Sequence, residues 1–267
     1  MRKLSVIVPV YGDWQSLSKN IKALKSHVSS DSDIEVYLVN DCGPEVDTLE
    51  FKIKRAIKRR SDFHYHRNDH NLGFVKNCNN AVFNIVPQDS DILLLNSDAI
   101  ITRGLIEEMQ NVLYEEPNIG AVCPRSNAAT IFSVPMKPEH GRKYSMRQSY
   151  GIYKKIRNQL PRRYISPLAH GFCMMIRRTV INEFGLFDEV YGKGYGEEND
   201  FCMRIVRAGW SCAVANHAYA FHYKARSFTE ETRSEQVKVN EKILDARYPE
   251  YRQLISKYVE SINEPSI

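Results

Sequence analysis

The chain has 267 residues, 43% apolar and 26% charged, an ordinary globular balance that excludes disordered and collagen-like classes. That length suits one α/β domain with an appended segment, and it buries a sizeable core without staples. The net charge of +5 is unevenly placed. Residues 137–163 hold nine Lys/Arg against one acid, Glu139, which leaves the remainder net acidic.

Residues 4–10 are apolar and β-branched and read as a buried parallel strand. Leu17, Ile21, Leu24 and Val28 then form one helical stripe over 16–28. A second strand, 34–39, ends in the turn signal Asn40-Asp41-Cys42-Gly43-Pro44. A basic helix over 47–60, a short strand near 63–66 and a helix over 74–86 follow. Asp91–Leu95 is a further buried strand, 104–116 a helix closed by Pro117, and 121–123 another strand. Regularity fades across 125–167, where Pro124, Pro135, Pro138, Pro161 and Pro167 interrupt it. Beyond lie a strand (171–176), a short helix (178–184), a helix (197–208), strand-like runs at 210–215 and 218–222, a polar helix (229–246) and a charged tail.

Strand–helix alternation of this kind specifies a mostly parallel sheet with helices on both faces. Ligands on such sheets bind beyond the carboxyl ends of the strands. The polar punctuation falls there: Tyr11-Gly12-Asp13, Asn40-Asp41 and Asn96-Ser97-Asp98. The six cysteines form no CxxC pair and sit mostly in apolar runs, so they read as reduced thiols of a cytosolic protein. The N-terminus has no signal-peptide pattern, and no apolar run approaches the roughly 18 residues that span a bilayer. The chain is therefore expected to be cytoplasmic, at most peripheral at the inner face of a membrane.

Asn96-Ser97-Asp98 reads either as a turn or as a strand-end carboxylate for a divalent cation. Three acids, Glu197, Glu198 and Asp200, open a helix, where the macrodipole alone would favour them. Glu198 heads the stripe of Phe201, Cys202 and Ile205. Asp200 shares its stripe with Arg204 and Arg207, and a surface ion pair would explain it. A carboxylate at the head of a buried stripe fits a catalytic cleft, which favours Glu198 over Asp200 as the base. His222 ends a strand and reads as structural unless paired with Asp98. Gly171 after His170 allows a close backbone approach or a turn.

These segments in this order resemble the family-2 glycosyltransferases of the GT-A fold. They are Ser5–Tyr11, Val39–Pro44, Asn71-Leu-Gly-Phe74 with Asn77 and Asn80, Leu93–Asp98, His170-Gly-Phe172, Phe187-Asp188, Gly196–Cys202 through Arg204 to Trp210, and His222 with Ser227. The resemblance covers residues 4–228 and points to the bacterial rhamnosyltransferase-like, polysaccharide branch. It implies a single nucleotide-sugar-binding domain over 1–228 with a helical extension over 229–267. Within the domain, 1–125 would be the nucleotide half, 126–167 a basic, irregular lid and 168–228 the acceptor half. Pro9, Val10, Tyr11, Asn40, Asp41, Asn71, Gly73, Asn77, Asn96, Ser97 and Asp98 would border the nucleotide sugar. His170, Gly171 and Glu197 would lie on the acceptor side, and Asp98 with His222 would hold Mn or Mg. Asn96 stands where the family carries the first acid of its DxD motif, leaving one fewer charge for the metal.

The implied reaction is an inverting transfer from a UDP- or dTDP-sugar to a hydroxyl of a glycan, lipid-linked or protein-linked acceptor, in bacterial surface glycan assembly. Three other readings stand beside it. A nucleotidyltransferase would need a glycine-rich phosphate loop that is missing. A nucleic-acid binder would use the basic segment with its interleaved tyrosines, but no reading motif accompanies it and no nucleic-acid partner is expected. An inactive GT-A-like binding module would follow from the Asn96 departure.

Overall fold

The computed structural model describes residues 2–129, 131–135, 143–223 and 230–262, with side chains described from 235 onward in the last stretch. Lys137, Glu139 and Arg142 of the basic segment, and Ser227, lie outside the described residues. One nine-stranded sheet runs through the molecule in the order β3-β2-β1-β4-β8-β6-β9-β5, with β7 paired to β9. Its strands are β1 (Leu4–Val10), β2 (Ile34–Asn40), β3 (Phe63–Arg67), β4 (Asp91–Leu95), β5 (Ala99–Ile101), β6 (Ile119–Ser126), β7 (Arg163–Ser166), β8 (Cys173–Ile176) and β9 (Ser211–His222). The helices are α1 (Trp14–His27), α2 (Val46–Ile57), α3 (Phe74–Asn80), α4 (Leu105–Leu113), α5 (Met146–Ile156), α6 (Arg178–Phe184), α7 (Glu197–Arg207), α8 (Glu230–Arg247) and α9 (Tyr251–Ser261).

The first four strands are parallel, as the β-branched runs predict. β1 is their centre, and Val6, Ile7, Val8 and Val10 are fully buried. Pro9 is tolerated there because β4 pairs with β1 only as far as Ile7, beyond which a missing N–H costs the ladder nothing. Past β4 the sheet is mixed, because β8 enters antiparallel between β4 and β6. α1 starts on Asp13, whose carboxylate accepts the Ser16 N–H at 3.2 Å, and its stripe Leu17, Ile21 and Leu24 is buried on the sheet. α2 does the same with Leu49, Ile53 and Ile57.

The structure departs from the sequence reading in three places. The 125–167 stretch, expected to be irregular, carries α5 and β7. α5 is started by a Ser145/Gln148 capping box and closed before Pro161, so the prolines bracket the helix rather than break it. The two strand-like runs 210–215 and 218–222 are one strand, β9. Its register against β6 shifts at Pro124/Arg125, where buried Asn216 accepts from Arg125 Nε at 2.9 Å and donates to the Pro161 carbonyl at 2.9 Å. The charged tail after 246 contains α9, whose Tyr251, Ile255 and Tyr258 pack on the main core. No helix among the described residues is long and apolar enough to cross a membrane.

Candidate active site

The carboxyl ends of β1, β2 and β4 bring Tyr11, Asp41 and Asn96 to one edge of the sheet. Asp41 is buried, and its carboxylate accepts the N–H groups of Leu72 and Gly73, both at 2.8 Å, and the amides of Asn68 (3.0 Å) and Asn71 (3.2 Å). Asn68 also donates to Asn77 at 2.8 Å, and Asn77 donates to the Val39 carbonyl at 3.2 Å. Asn40 is likewise buried and donates to Tyr65 Oη at 3.0 Å. Asn40, Asp41 and Asn77, expected to border the nucleotide, are thus the floor that shapes the 68–73 loop. Tyr11 and Asn71 are exposed, and Gly73, Asn96 and Ser97 are half-buried. Gly43 is forced by the Tyr11 backbone, because a Cβ there would stand 1.9 Å from its carbonyl oxygen.

The Asn96–Asp98 turn joins β4 to β5. Antiparallel pairing of β5 with β9 sets Ala99 opposite His222, so two residues far apart in sequence converge: His222 Nε2 lies 3.4 Å from Asp98 Oδ1. The His222 ring stacks on Phe172 at 4.7 Å. Its backbone N–H and carbonyl are both bonded to the Asn127 amide at 2.9 Å. The turn is fixed from behind by Asn20 of α1, which donates to the carbonyls of Asn96 (3.1 Å) and Ala99 (2.7 Å). Two donors bound about 2.1 Å from one cation at near a right angle lie roughly 3 Å apart. The Asp98–His222 separation of 3.4 Å is close to that spacing, so these two side chains are the ones that would hold a divalent cation there. Among the described residues no group of three His, Cys, Asp or Glu side chains is placed to hold a metal.

The acid pair opens α7. Glu197 is buried, Glu198 half-buried, and each has one carboxyl oxygen, Oε2, enclosed without a hydrogen-bond partner. Burial, with the neighbouring Glu198 charge adding to it, pushes Glu197 well above the usual carboxylate range. Burial raises Glu198 as well. The His170-Gly171 turn lies against Glu198, and a Cβ at Gly171 would stand 3.3 Å from Glu198 Cβ, so glycine there serves close approach. The His170 ring meets Phe132 edge-on at 5.3 Å.

Asp200, the other proposed catalytic acid, corrects the sequence reading. Two residues on from Glu198, it faces the opposite side of α7 and is completely buried. It accepts from Arg247 Nη1 (2.9 Å), Tyr248 Oη (3.1 Å), Tyr191 Oη (3.2 Å) and Arg204 Nε (3.2 Å). It is a buried ion-pair centre facing the tail, not a surface pair, and Arg207 pairs with Glu250 instead.

In the basic segment, Arg162 pairs with Glu108, and Arg163 with Glu115 and Glu116, so both fasten β7 to the region of α4. Lys143, Arg147, Lys154, Lys155 and Arg157 are exposed and have no acidic partner among the described residues. Opposite them α5 buries Ser149, Tyr153 and Ile156.

The sequence reading missed Asn20, Asn68 and Asn240. Asn20 had a signal, because it sits three residues after Leu17 and four before Leu24, on a stripe that is otherwise apolar. A polar side chain on such a stripe must find buried partners.

The profile described as "Glycosyl transferase family 2" matches residues 5–185, and so ends before the acid pair and His222. A search of curated proteins returns no match. Among solved structures, the chain resembles GalNAc-T7 crystallised with UDP, GalNAc and Mn2+, with TM-score 0.67, 16% identity, and coverage of 97% of this chain and 53% of that one. It also resembles the mannosyltransferase PcManGT from Pyrobaculum calidifontis in complex with GDP-Man and Mn2+, with TM-score 0.63, 14% identity, and coverage of 99% and 66%. A third likeness is S. aureus TarS 1-349, with TM-score 0.57, 15% identity, and coverage of 88% and 69%. The chain thus spans about half the length of the first of these and just under two thirds of the second. At these identities the likeness establishes the GT-A-like fold.

Proposed function

The chain belongs to glycosyl transferase family 2, and from that premise we propose that it moves a sugar from a UDP- or dTDP-sugar to an acceptor hydroxyl with inversion. The observation that carries this reading is the convergence of Asp98 and His222 at the strand-end cleft. The relatives support the donor class, since their structures hold UDP, GDP-Man and, for TarS, UDP-GlcNAc.

Glu198, with its raised proton affinity, takes the proton of the acceptor hydroxyl. The acceptor oxygen then attacks the anomeric carbon from the face opposite the diphosphate. The bond from that carbon to the diphosphate oxygen breaks, and its electron pair leaves with the nucleoside diphosphate. A divalent cation held by Asp98 and His222 would neutralise charge on that leaving group. Asn20 and Asn127 keep the two side chains in register for it. Tyr11, Asn71 and Gly73 border the nucleotide, and His170 and Gly171 shape the acceptor side.

The test is a thermal-shift screen of UDP, dTDP and GDP, each with and without Mn2+. A ligand at 100 times its Kd adds about 2.7 kcal/mol to folded-state stability, roughly 5–11 °C for a chain of this size. Asp98→Ala is expected to abolish the part of the shift that depends on Mn2+. No shift with any nucleotide would favour a binding module that has lost the donor.

The cationic face of α5 supports an acceptor held at an anionic lipid surface, as in bacterial surface glycan assembly. Each cation near such a surface contributes about 1 kcal/mol. Lys154→Glu combined with Lys155→Glu is therefore expected to weaken sedimentation with phosphatidylglycerol vesicles by about 30-fold or more. Unchanged binding would remove the membrane from this reading.

A further inference from the structure

We propose that Asn240, on the C-terminal helix α8, is a positioning residue for Glu198, its amide setting the path of the Tyr191–Gly196 loop that aims the acid pair. The proposal rests on Glu198 as the base and gives the tail a part in the reaction.

The loop Gly192-Lys-Gly-Tyr-Gly196 has positive φ at four of its five residues: Gly192 (59°), Gly194 (113°), Tyr195 (72°) and Gly196 (110°). Tyr195 holds a left-handed conformation that an L side chain disfavours, so the surroundings must impose it. Gly192 N–H donates to the Glu189 carbonyl at 3.0 Å and Gly194 N–H to the Tyr191 carbonyl at 3.1 Å.

Asn240 supplies the hold from outside. Its Nδ2 donates to the carbonyls of Tyr191 (3.0 Å), Gly194 (2.8 Å) and Tyr195 (2.9 Å). It is 1% exposed, and Gln236 Nε2 donates to its Oδ1 at 3.0 Å, which fixes which way the amide points. A Cβ at Gly196 would stand 3.7 Å from Asn240 Cβ and 3.2 Å from the Tyr191 ring, so the loop has no spare room there.

Gly196 is the N-cap of α7, and Glu197 and Glu198 follow it directly. Where the loop enters the helix decides where these carboxyls sit, and Glu198 is already packed against Gly171. From the far side of α7, Arg247 and Tyr248 of the tail grip Asp200. The first turn of α7 is thus held by the tail on two sides. A displacement of 1 Å in a reacting group costs on the order of 10²-fold in rate.

The test uses the full chain with Asn240→Leu, Asn240→Asp and Gln236→Leu. Val239→Ser, exposed on the same helix, is the control. Two readings are taken: nucleoside-diphosphate release from a panel of UDP- and dTDP-sugars with water as acceptor, and a 13C titration of glutamate side-chain carboxyls, with the Glu198 signal assigned by its loss in Glu198→Gln. The Asn240 variants are expected to lose at least 10-fold in kcat per folded molecule, with KM for the donor within about two-fold. The Glu198 titration is expected to move down toward the ordinary glutamate range as the site opens to water. Gln236→Leu, which leaves Asn240 in place, is expected to shift both readings in the same direction by less, and it carries the test if the Asn240 variants fail to fold.

A fall in melting temperature with kcat and the Glu198 titration unchanged would overturn the proposal, leaving Asn240 as a fastener of the tail. If the wild type releases neither UDP nor dTDP from any donor while the variants still move the titration, the proposed function fails and the positioning stands.

Discussion

Replacing Glu198 by Gln is expected to lower turnover about 10²–10⁴-fold, the usual contribution of a positioned general base, while the nucleotide-dependent thermal shift persists. Glutamine keeps the size of the side chain beside Gly171 but cannot take a proton. Because burial raises the Glu198 carboxyl, it stays protonated to higher pH than an exposed glutamate. Only its deprotonated form acts as a base, so kcat/KM rises with pH through a midpoint above the ordinary glutamate range, and the variant loses that limb. Stability carries the opposite sign. The folded chain retains a proton that the unfolded chain, with a glutamate near 4.3, has released, so the site costs stability as pH rises through that window. Above it, Glu198→Gln melts higher than the wild type; at low pH the two melt alike. Near-normal turnover by the folded variant would move the base elsewhere.

Asp200→Ala is expected to act first on stability, with turnover per folded molecule falling far less than in Glu198→Gln and only through the position of the first turn of α7. Removing one side of a buried ion pair costs about 3–5 kcal/mol. The lower end applies, because Arg204 and Arg247 are 29% and 38% exposed and water takes up part of their charge. About 3 kcal/mol corresponds to roughly 6–12 °C in Tm for a chain of this size. Thermal melts and turnover per folded molecule, measured together, separate the two acids. A collapse of turnover at unchanged Tm would favour a catalytic role for Asp200 over that of a buried ion-pair centre.

The first half of the molecule was readable because its strands are buried on both faces and its turns are rich in Asn, Asp and Gly. Apolar runs at 4–10, 34–39 and 91–95 leave one architecture, and the polar ends of those runs mark the cleft. Glu198 was legible as a charge on an apolar stripe. The same rule, applied to Asn20 and Asn240, would have found both, since Asn240 lies three residues after Val237 and four before Leu244. Asp200 was misread because stripe logic shows which residues share a helix face, but not what covers that face. Here α8 and Tyr191 cover it, and no local pattern announces their arrival. The Asp98–His222 pairing came from the family resemblance alone, since no local pattern shows β5 meeting β9 across the chain. In the basic segment, composition gave the charge correctly, whereas the division into cations fastened to Glu108, Glu115 and Glu116 and cations left on the α5 surface required the packed structure.

The insertion of β8 between β4 and β6 has a consequence for the newly made chain. β4 is complete at Leu95 and β6 at Ser126, yet the strand that joins them begins at Cys173. At ~5–20 residues per second of synthesis, the inner edge of β4 waits ~4–16 s for its partner, with Ile92, Leu93, Leu94 and Leu95 presenting an unpaired apolar strand. Such an edge is a template for pairing with another chain. The ribosome-bound intermediate exposes an edge that the finished protein covers, so a holdase that covers β4 during that interval is expected to raise the soluble yield more than one added after release.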